Sequence, residues 1–343
     1  MEIRFSTFRI QLDHTFGISR SKNDWYDIVY IYLIDGDIIG RGEAAPSIRY
    51  NESSDIILSI LKQKISLPED CTQREVIFNH IYPQLKNIKA LEAAFSMALW
   101  DWWGQKQKKS VSEIFKININ NSPPTSFTIA IGNLEDIAEK VSKAEPYTIL
   151  KVKLGTPSMD KEIITEIRQH TDKIIRVDAN EGWDIDNALA MCKWMADQNI
   201  EFVEQPFPAN QLEHTALLRK KSPLDIYADE NSIDSSDIIK INQAFDGINI
   251  KLMKCGSLEE GQRMINLARF HDMKIMLGCM VESSIGITAA SYLAGQVDAV
   301  DLDGNLLINN DPYKGSKIIE GRLSLPKSNG LGVELKSKIE NLM

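Results

Sequence analysis

Between residues 127 and 303 one pattern recurs: a short apolar run closed by charged or amide side chains, then a longer amphipathic stretch. The closing motifs are Lys151-Val152-Lys153, Asp178-Ala179-Asn180, Glu204-Gln205-Pro206, Asp229-Glu230-Asn231, Lys251-Leu252-Met253-Lys254 and Asp301-Leu302-Asp303. Their first residues lie 27, 26, 25, 22 and 50 positions apart, and Gly278-Cys279-Met280 divides the last interval. A strand, a helix and two short connections need about 25 to 30 residues. The period therefore predicts repeated βα units closing into a parallel barrel. Strands are predicted near 126–131, 148–153, 173–178, 200–204, 224–229, 247–251, 274–278 and 298–302, with helices between them, for example over 134–144, 160–170 and 184–198. After the eighth strand, Asn309-Asn310-Asp311-Pro312 follows too quickly for a full helix.

The first third reads differently. Strands begin at Ile3-Arg4-Phe5, cover Ile28 to Ile34 and end at Gly40-Arg41-Gly42-Glu43, with Asp35-Gly36-Asp37 as a turn. Phe16 to Arg20 reads as a polar loop between the first strands. Residues 53–65 and 72–86 have helical periodicity. Leu91 to Gln107 is apolar all round, so it predicts a buried helix whose Trp100, Trp102 and Trp103 serve packing. Pro123-Pro124, in the polar stretch 116–126, marks a boundary. The expected architecture is α/β: a modified TIM barrel of (β/α)7β type over residues 121–305, an N-terminal α+β domain over 1–120, and a turn-rich segment, 306–343, returning to it.

Composition narrows the function. A hydrophobic content of 43% supports large cores, and a net charge of −9 argues against nucleic acid as a partner. The run Ile28–Ile34 is far too short for a membrane span, and Met1-Glu2-Ile3-Arg4 opens directly into strand-like sequence without a signal-peptide core. The four cysteines show neither CxxC nor zinc spacing. A soluble, cytoplasmic protein without disulfides is expected.

Active sites of parallel barrels lie where the C-terminal strand ends converge. Asp178, Glu204 and Asp229 each end an apolar run, so all three are expected at that mouth. Each alone could be a helix cap or a surface ion pair; three on consecutive units beside lysines are better explained together. Unneutralised, they would repel and raise one another's pKa. A hard divalent cation resolves this, and an all-oxygen set suits Mg²⁺, with Mn²⁺ as a substitute. Lys153 and Lys251 belong to the second and sixth strands, four apart in a ring of eight, and should oppose each other. Lys151 shares a strand face with Lys153, and Asp301 shares one with Asp303. Lys254 points elsewhere by parity and suits a salt bridge to the acids. A lysine must be lowered from about 10.4 to act as a base, and a neighbouring cation does this. A metal on a substrate carboxylate, with one lysine taking an α-proton and another returning it, makes a racemase or epimerase; with one base and a leaving group, a lyase or cycloisomerase.

In this order the KxK, DxN, EQP, DE, KxxK and Gly278-x-Met280-x-Glu282-x-x-x-Gly286 motifs resemble the enolase superfamily, in its muconate-lactonising subgroup. The resemblance covers almost the whole chain, including the Gly40–Glu43 segment, the Ala90–Gly104 helix and Gly330-Leu331-Gly332, which look like that family's capping domain. A lysine base working with Mg²⁺ is that superfamily's known pairing. Asp301-x-Asp303 is similar to the dipeptide epimerases of the subgroup, where the paired acids bind an α-ammonium group. The resemblance implies Mg²⁺ on Asp178, Glu204 and Asp229, acid/base catalysis by Lys153 and Lys251, and a substrate carboxylate near Lys151. It also implies a substrate site lined by Thr128, Cys279 and Val281, and a homo-oligomer. Arg20 stands 21 residues before Arg41, the spacing at which Ala-Glu epimerases carry an arginine for the second residue's carboxylate. The leading expected reaction is L-Ala-L-Glu to L-Ala-D-Glu through an enediolate. The alternatives are an o-succinylbenzoate synthase, an N-acylamino acid racemase or a muconate cycloisomerase. The mandelate-racemase branch is disfavoured because the seventh strand lacks its histidine.

Overall fold

Cross-strand pairing carries the N-terminal hairpin well beyond its apolar segment. In the computed structural model, which describes residues 1–18 and 21–336, β1 (Glu2–Ile18) pairs antiparallel with β2 (Ser21–Asp35), and β2 with β3 (Ile38–Ala44). Most of the polar stretch expected as a loop is thus strand. Only Ile28–Leu33 of β2 is fully buried; the distal half of the ribbon is held by its own register and by ion pairs such as Arg9–Asp27, both bonds at 2.8 Å.

Four helices follow: α1 (Ser54–Leu61), α2 (Arg74–Ile81), α3 (Lys89–Gln107) and α4 (Val111–Phe115). Helix α3 lies directly on β3. A side chain at Gly42 would collide with the Ala94 carbonyl, so glycine there sets the approach. Trp100 and Trp102 are buried, as packing residues should be. Helix α3 has no side-chain cap of its own; Glu52, from the loop before α1, accepts from Lys89 N at 2.5 Å and Ala90 N at 3.1 Å instead.

From Phe127 strands and helices alternate: β4 (Phe127–Ile129), α5 (Ile137–Lys143), β5 (Ile149–Lys153), α6 (Asp160–His170), β6 (Ile174–Asp178), α7 (Ile185–Ala196), β7 (Ile200–Glu204), α8 (Leu212–Arg219), β8 (Asp225–Ala228), α9 (Ser235–Ile241), β9 (Gly247–Ile250), the short α10 (Leu252–Cys255), α11 (Leu258–Phe270), β10 (Lys274–Leu277), α12 (Ser284–Ser291) and β11 (Ala299–Val300). All eight strands lie within the predicted spans. They are parallel and in sequential order, and a bridge between Thr125 and Val300 joins the two ends of the sheet. Only a single 3-10 turn, Gly304–Leu306, follows β11 before the C-terminal segment, so the architecture is the eight-stranded barrel with seven helical crossovers. Four short strands, β12 (Tyr313–Lys314), β13 (Lys317–Ile319), β14 (Arg322–Ser324) and β15 (Glu334–Leu335), form two ribbons in the tail. Leu331 N donates to Asp101 of α3 at 2.9 Å, tying the tail to the first helical layer. No helix among the described residues is long and apolar enough to cross a membrane, and all four cysteines are free.

Two buried carboxyls lie where β3 meets the barrel. Glu43 accepts from Ser283 N at 2.7 Å, Ser283 Oγ at 2.5 Å and Gly286 N at 3.1 Å at the start of α12. Burial raises Glu43 to about 7; burial and then Glu43 raise Glu282 to about 8. Their folded pKa values exceed the ordinary 4.5, so the native state binds more protons over that interval and stability declines as pH rises from about 4.5 through about 8. Glu282→Gln is expected to flatten this slope and to stabilise the protein at pH 8.5 but not at pH 5. Urea unfolding at the two pH values measures it; an unchanged slope contradicts it.

Candidate active site

Register brings the polar residues together. Lys153 is in line with Asp178 across β5 and β6, and Asp178 with Glu204 across β6 and β7. Asp229 follows β8 and Lys251 follows β9. Oxygens of Asp178, Glu204 and Asp229 lie within 4.8 Å of one another, all three residues buried. The connections bearing them are tightly wound: Asn180, Glu181 and Gln205 have positive φ. Gln205 links two of them, accepting from Asp229 N at 3.0 Å and donating to Asn231 at 2.7 Å.

Each acid has one oxygen tied down from behind. Asp178 Oδ1 accepts from Asn180 N at 2.9 Å, Glu204 Oε1 from Asn249 Nδ2 at 2.7 Å, and Asp229 Oδ1 from Lys254 Nζ at 2.6 Å. The second oxygens face the other lysines. Lys153 donates to Asp178 Oδ2 and Lys251 to Asp229 Oδ2, both at 2.7 Å. Lys151 approaches Glu204 Oε2 at 2.8 Å, but off the line of a hydrogen bond, so Oε2 has no such partner among the described residues. Three carboxylates, each held from behind through one oxygen and gathered without histidine or cysteine, fit a hard oxygen-seeking divalent cation such as Mg²⁺.

Electrostatics divides the trio. Burial pushes Asp178 up, but Lys153 and Lys151 outweigh it and leave it at about 2. Burial likewise opposes Lys251 and Lys254 at Asp229, whose pKa ends well below the usual range. Glu204 is raised, by burial and by Asp178. Burial pulls Lys251 down, yet Asp229 and Glu204 hold it above its usual value. Paired carboxylates dominate its surroundings. Lys254 is lowered by burial in spite of Asp229, and it forms the salt bridge that its parity suggested.

A cavity of about 810 Å³ opens above these groups. Lys153, Asp229, Lys251, Thr128, Cys279, Val281, Asp301 and Asp303 line it from the barrel; Phe16, Tyr26 and residues 45–50 line it from the N-terminal layer. Lys151 is 1% exposed beneath this surface, bonded to Asp301 Oδ2 at 2.7 Å. Asp301 also accepts from Ser126 Oγ at 2.6 Å, and Asp303 accepts from Thr128 N at 2.6 Å. Lys151 and Lys153 outweigh burial at Asp301 and lower it, whereas burial and Asp301 raise Asp303 to about 7. Burial and Glu282 raise the Cys279 thiol well above its usual value, and its Sγ donates to Asp301 O at 3.4 Å. Arg20 lies outside the described residues.

Sequence reasoning missed Asn249 and the linking role of Gln205. Asn249 is two positions before Lys251 on the same strand face, a lone amide in an apolar run; that parity was the available signal.

Residues 133–339 match the family model described as Enolase C-terminal domain-like. The chain is 36% identical to the L-Ala-D/L-Glu epimerase of Bacteroides thetaiotaomicron over 97% of its own length and 88% of that protein's. Among solved structures it is similar to a substrate-liganded complex of the L-Ala-D/L-Glu epimerase from Bacillus subtilis, with a TM-score of 0.90, 26% identity, and coverage of 97% of this chain and 98% of that one. It is also similar to the dipeptide epimerase of Methylococcus capsulatus complexed with Mg and L-Arg-D-Lys, with a TM-score of 0.89, 27% identity and the same coverages.

Proposed function

The chain belongs to the Enolase C-terminal domain-like family, and from that premise we propose that it is a Mg²⁺-dependent dipeptide epimerase inverting the α-carbon of the C-terminal residue. It is an isomerase, as its relatives are. The observation that carries the reading is the pairing of two lysines, four strands apart in the ring, with different members of one acidic trio.

A divalent cation on Asp178, Glu204 and Asp229, with Mn²⁺ able to replace Mg²⁺, supplies positive charge against the carboxylate that becomes an enediolate. Lys153 or Lys251, as the free amine, takes the α-proton from one face. The opposite lysine, as the ammonium, delivers a proton to the other face, and the reverse reaction exchanges their roles. Thr128, Cys279 and Val281 shape the wall, Arg20 meets an acidic second side chain, and Lys151 helps hold the substrate carboxylate and tunes Lys153. Residues 1–120 act as the capping domain, 121–305 as the catalytic barrel and 306–343 as the segment returning to the cap. L-Ala-L-Glu is the leading substrate, and the working enzyme is a cytoplasmic homo-oligomer.

Asp301 and Asp303 separate this reading from a racemase of N-acylated amino acids. Two buried acids at the last strand suit a cation, and the free α-ammonium of a dipeptide is one. Acetylating L-Ala-L-Glu at its amine is expected to reduce kcat/KM by about 100-fold or more, since a buried charge loses its partner. Epimerisation followed by chiral chromatography checks this. Faster turnover of the acylated compound than of any free dipeptide would overturn the assignment.

A further inference from the structure

Asn249 is fully buried inside the barrel, and its two amide atoms differ in their surroundings. Nδ2 donates to Glu204 Oε1 at 2.7 Å, while Oδ1 has no hydrogen-bond partner among the described residues. An unpartnered buried carbonyl costs folding free energy, and an apolar side chain of similar shape would not incur that cost. The neighbouring strand accommodates this amide. A Cβ at Gly278 would fall 2.5 Å from Asn249 Oδ1 and 2.8 Å from Nδ2, so only glycine leaves the amide where it stands. Asp178 has a backbone amide behind it and Asp229 has a lysine; for Glu204 the corresponding group is this one neutral side chain.

We propose that Asn249 is a positioning residue that fixes Glu204 through Oε1 and presents Oε2 to the cation, with Gly278 providing its space. The bond restricts Glu204 to one oxygen for the metal and holds the side chain in one rotamer before the ion arrives. Polar groups behind metal ligands act in this way, and losing one weakens metal binding by about 10- to 100-fold. This inference rests on the metal reading above and adds to it the residue that orients one ligand.

The test is calorimetric titration with Mg²⁺ alone, without dipeptide, on the full-length wild type, Asn249→Leu and Gly278→Ala, together with thermal melts in EDTA. Both variants are expected to bind Mg²⁺ about 10- to 100-fold more weakly than wild type. Asn249→Leu in EDTA should melt below the wild type, because Glu204 Oε1 loses its donor while buried, so the melts serve to show that the variants are folded at the titration temperature. A purely structural asparagine would lower the melting temperature and leave Mg²⁺ affinity within about twofold of wild type, and that result overturns the proposal. If Asn249→Leu does not fold, Gly278→Ala decides by the same affinity criterion. A wild-type protein that binds no Mg²⁺ rejects the metal reading itself and is recognisable as such before any variant is compared.

Discussion

Replacing either Lys153 or Lys251 by alanine is expected to lower epimerisation by about 10³-fold while leaving the fold intact. Each amine lines the cavity, and each is bonded to an acid of the trio at 2.7 Å. General acid–base groups contribute about 10² to 10⁴ in rate, and inversion through two bases needs both in every turnover. Neither loss leaves a bare carboxylate. Asp178 keeps Asn180 N and the nearby Lys151 ammonium, and Asp229 keeps Lys254. Initial rates from either epimer, with circular dichroism as a control for folding, measure the effect. A variant retaining more than about a tenth of wild-type kcat would remove that lysine from the reaction.

Asp229→Asn is expected to damage both stability and turnover. Asp229 accepts from Lys251 at 2.7 Å and from Lys254 at 2.6 Å, and Lys254 is completely enclosed. Breaking a buried ion pair by removing one partner costs about 3–5 kcal/mol, because a charge is left uncompensated. Two ammonium groups depend on this carboxylate, so the loss falls at the upper end of that range. Urea denaturation in EDTA isolates it from metal binding. With one of three ligand acids gone, Mg²⁺-dependent turnover should also fall by about 10³-fold, several kcal/mol of transition-state stabilisation. A variant as stable as wild type would mean that the two lysines find other partners.

The strand ends were legible in the sequence for a physical reason. A buried parallel strand must be apolar, so a charged residue that closes such a run can only stand at its end; Lys151, Lys153, Asp178, Glu204 and Asp229 were located this way. The N-terminal hairpin was less legible because most of β1 and the first half of β2 are exposed or only partly buried, with Ile10 and Leu12 among the few buried side chains. Cross-strand register holds residues such as Arg9 and Asp27, and composition carries little trace of register. The contact that raises Lys251 is with Asp229 at 2.7 Å, a pairing across neighbouring strand ends. For Asn249 the parity with Lys251 was the one local signal, and it does not name Glu204, 45 residues away in the chain, as the partner. Glu43 finds its partner 240 residues away, and no local spacing encodes that contact.

The most direct test of the two-lysine account is α-proton exchange in D₂O, followed by mass spectrometry, with L-Ala-L-Glu and L-Ala-D-Glu offered separately to the wild type and to each single-lysine variant. The account predicts deuterium with inversion in the wild type, no inversion in either variant, and any residual exchange confined to one epimer in Lys153→Ala and to the other in Lys251→Ala. Inversion that persists in either variant, or exchange of both epimers by one of them, would contradict it.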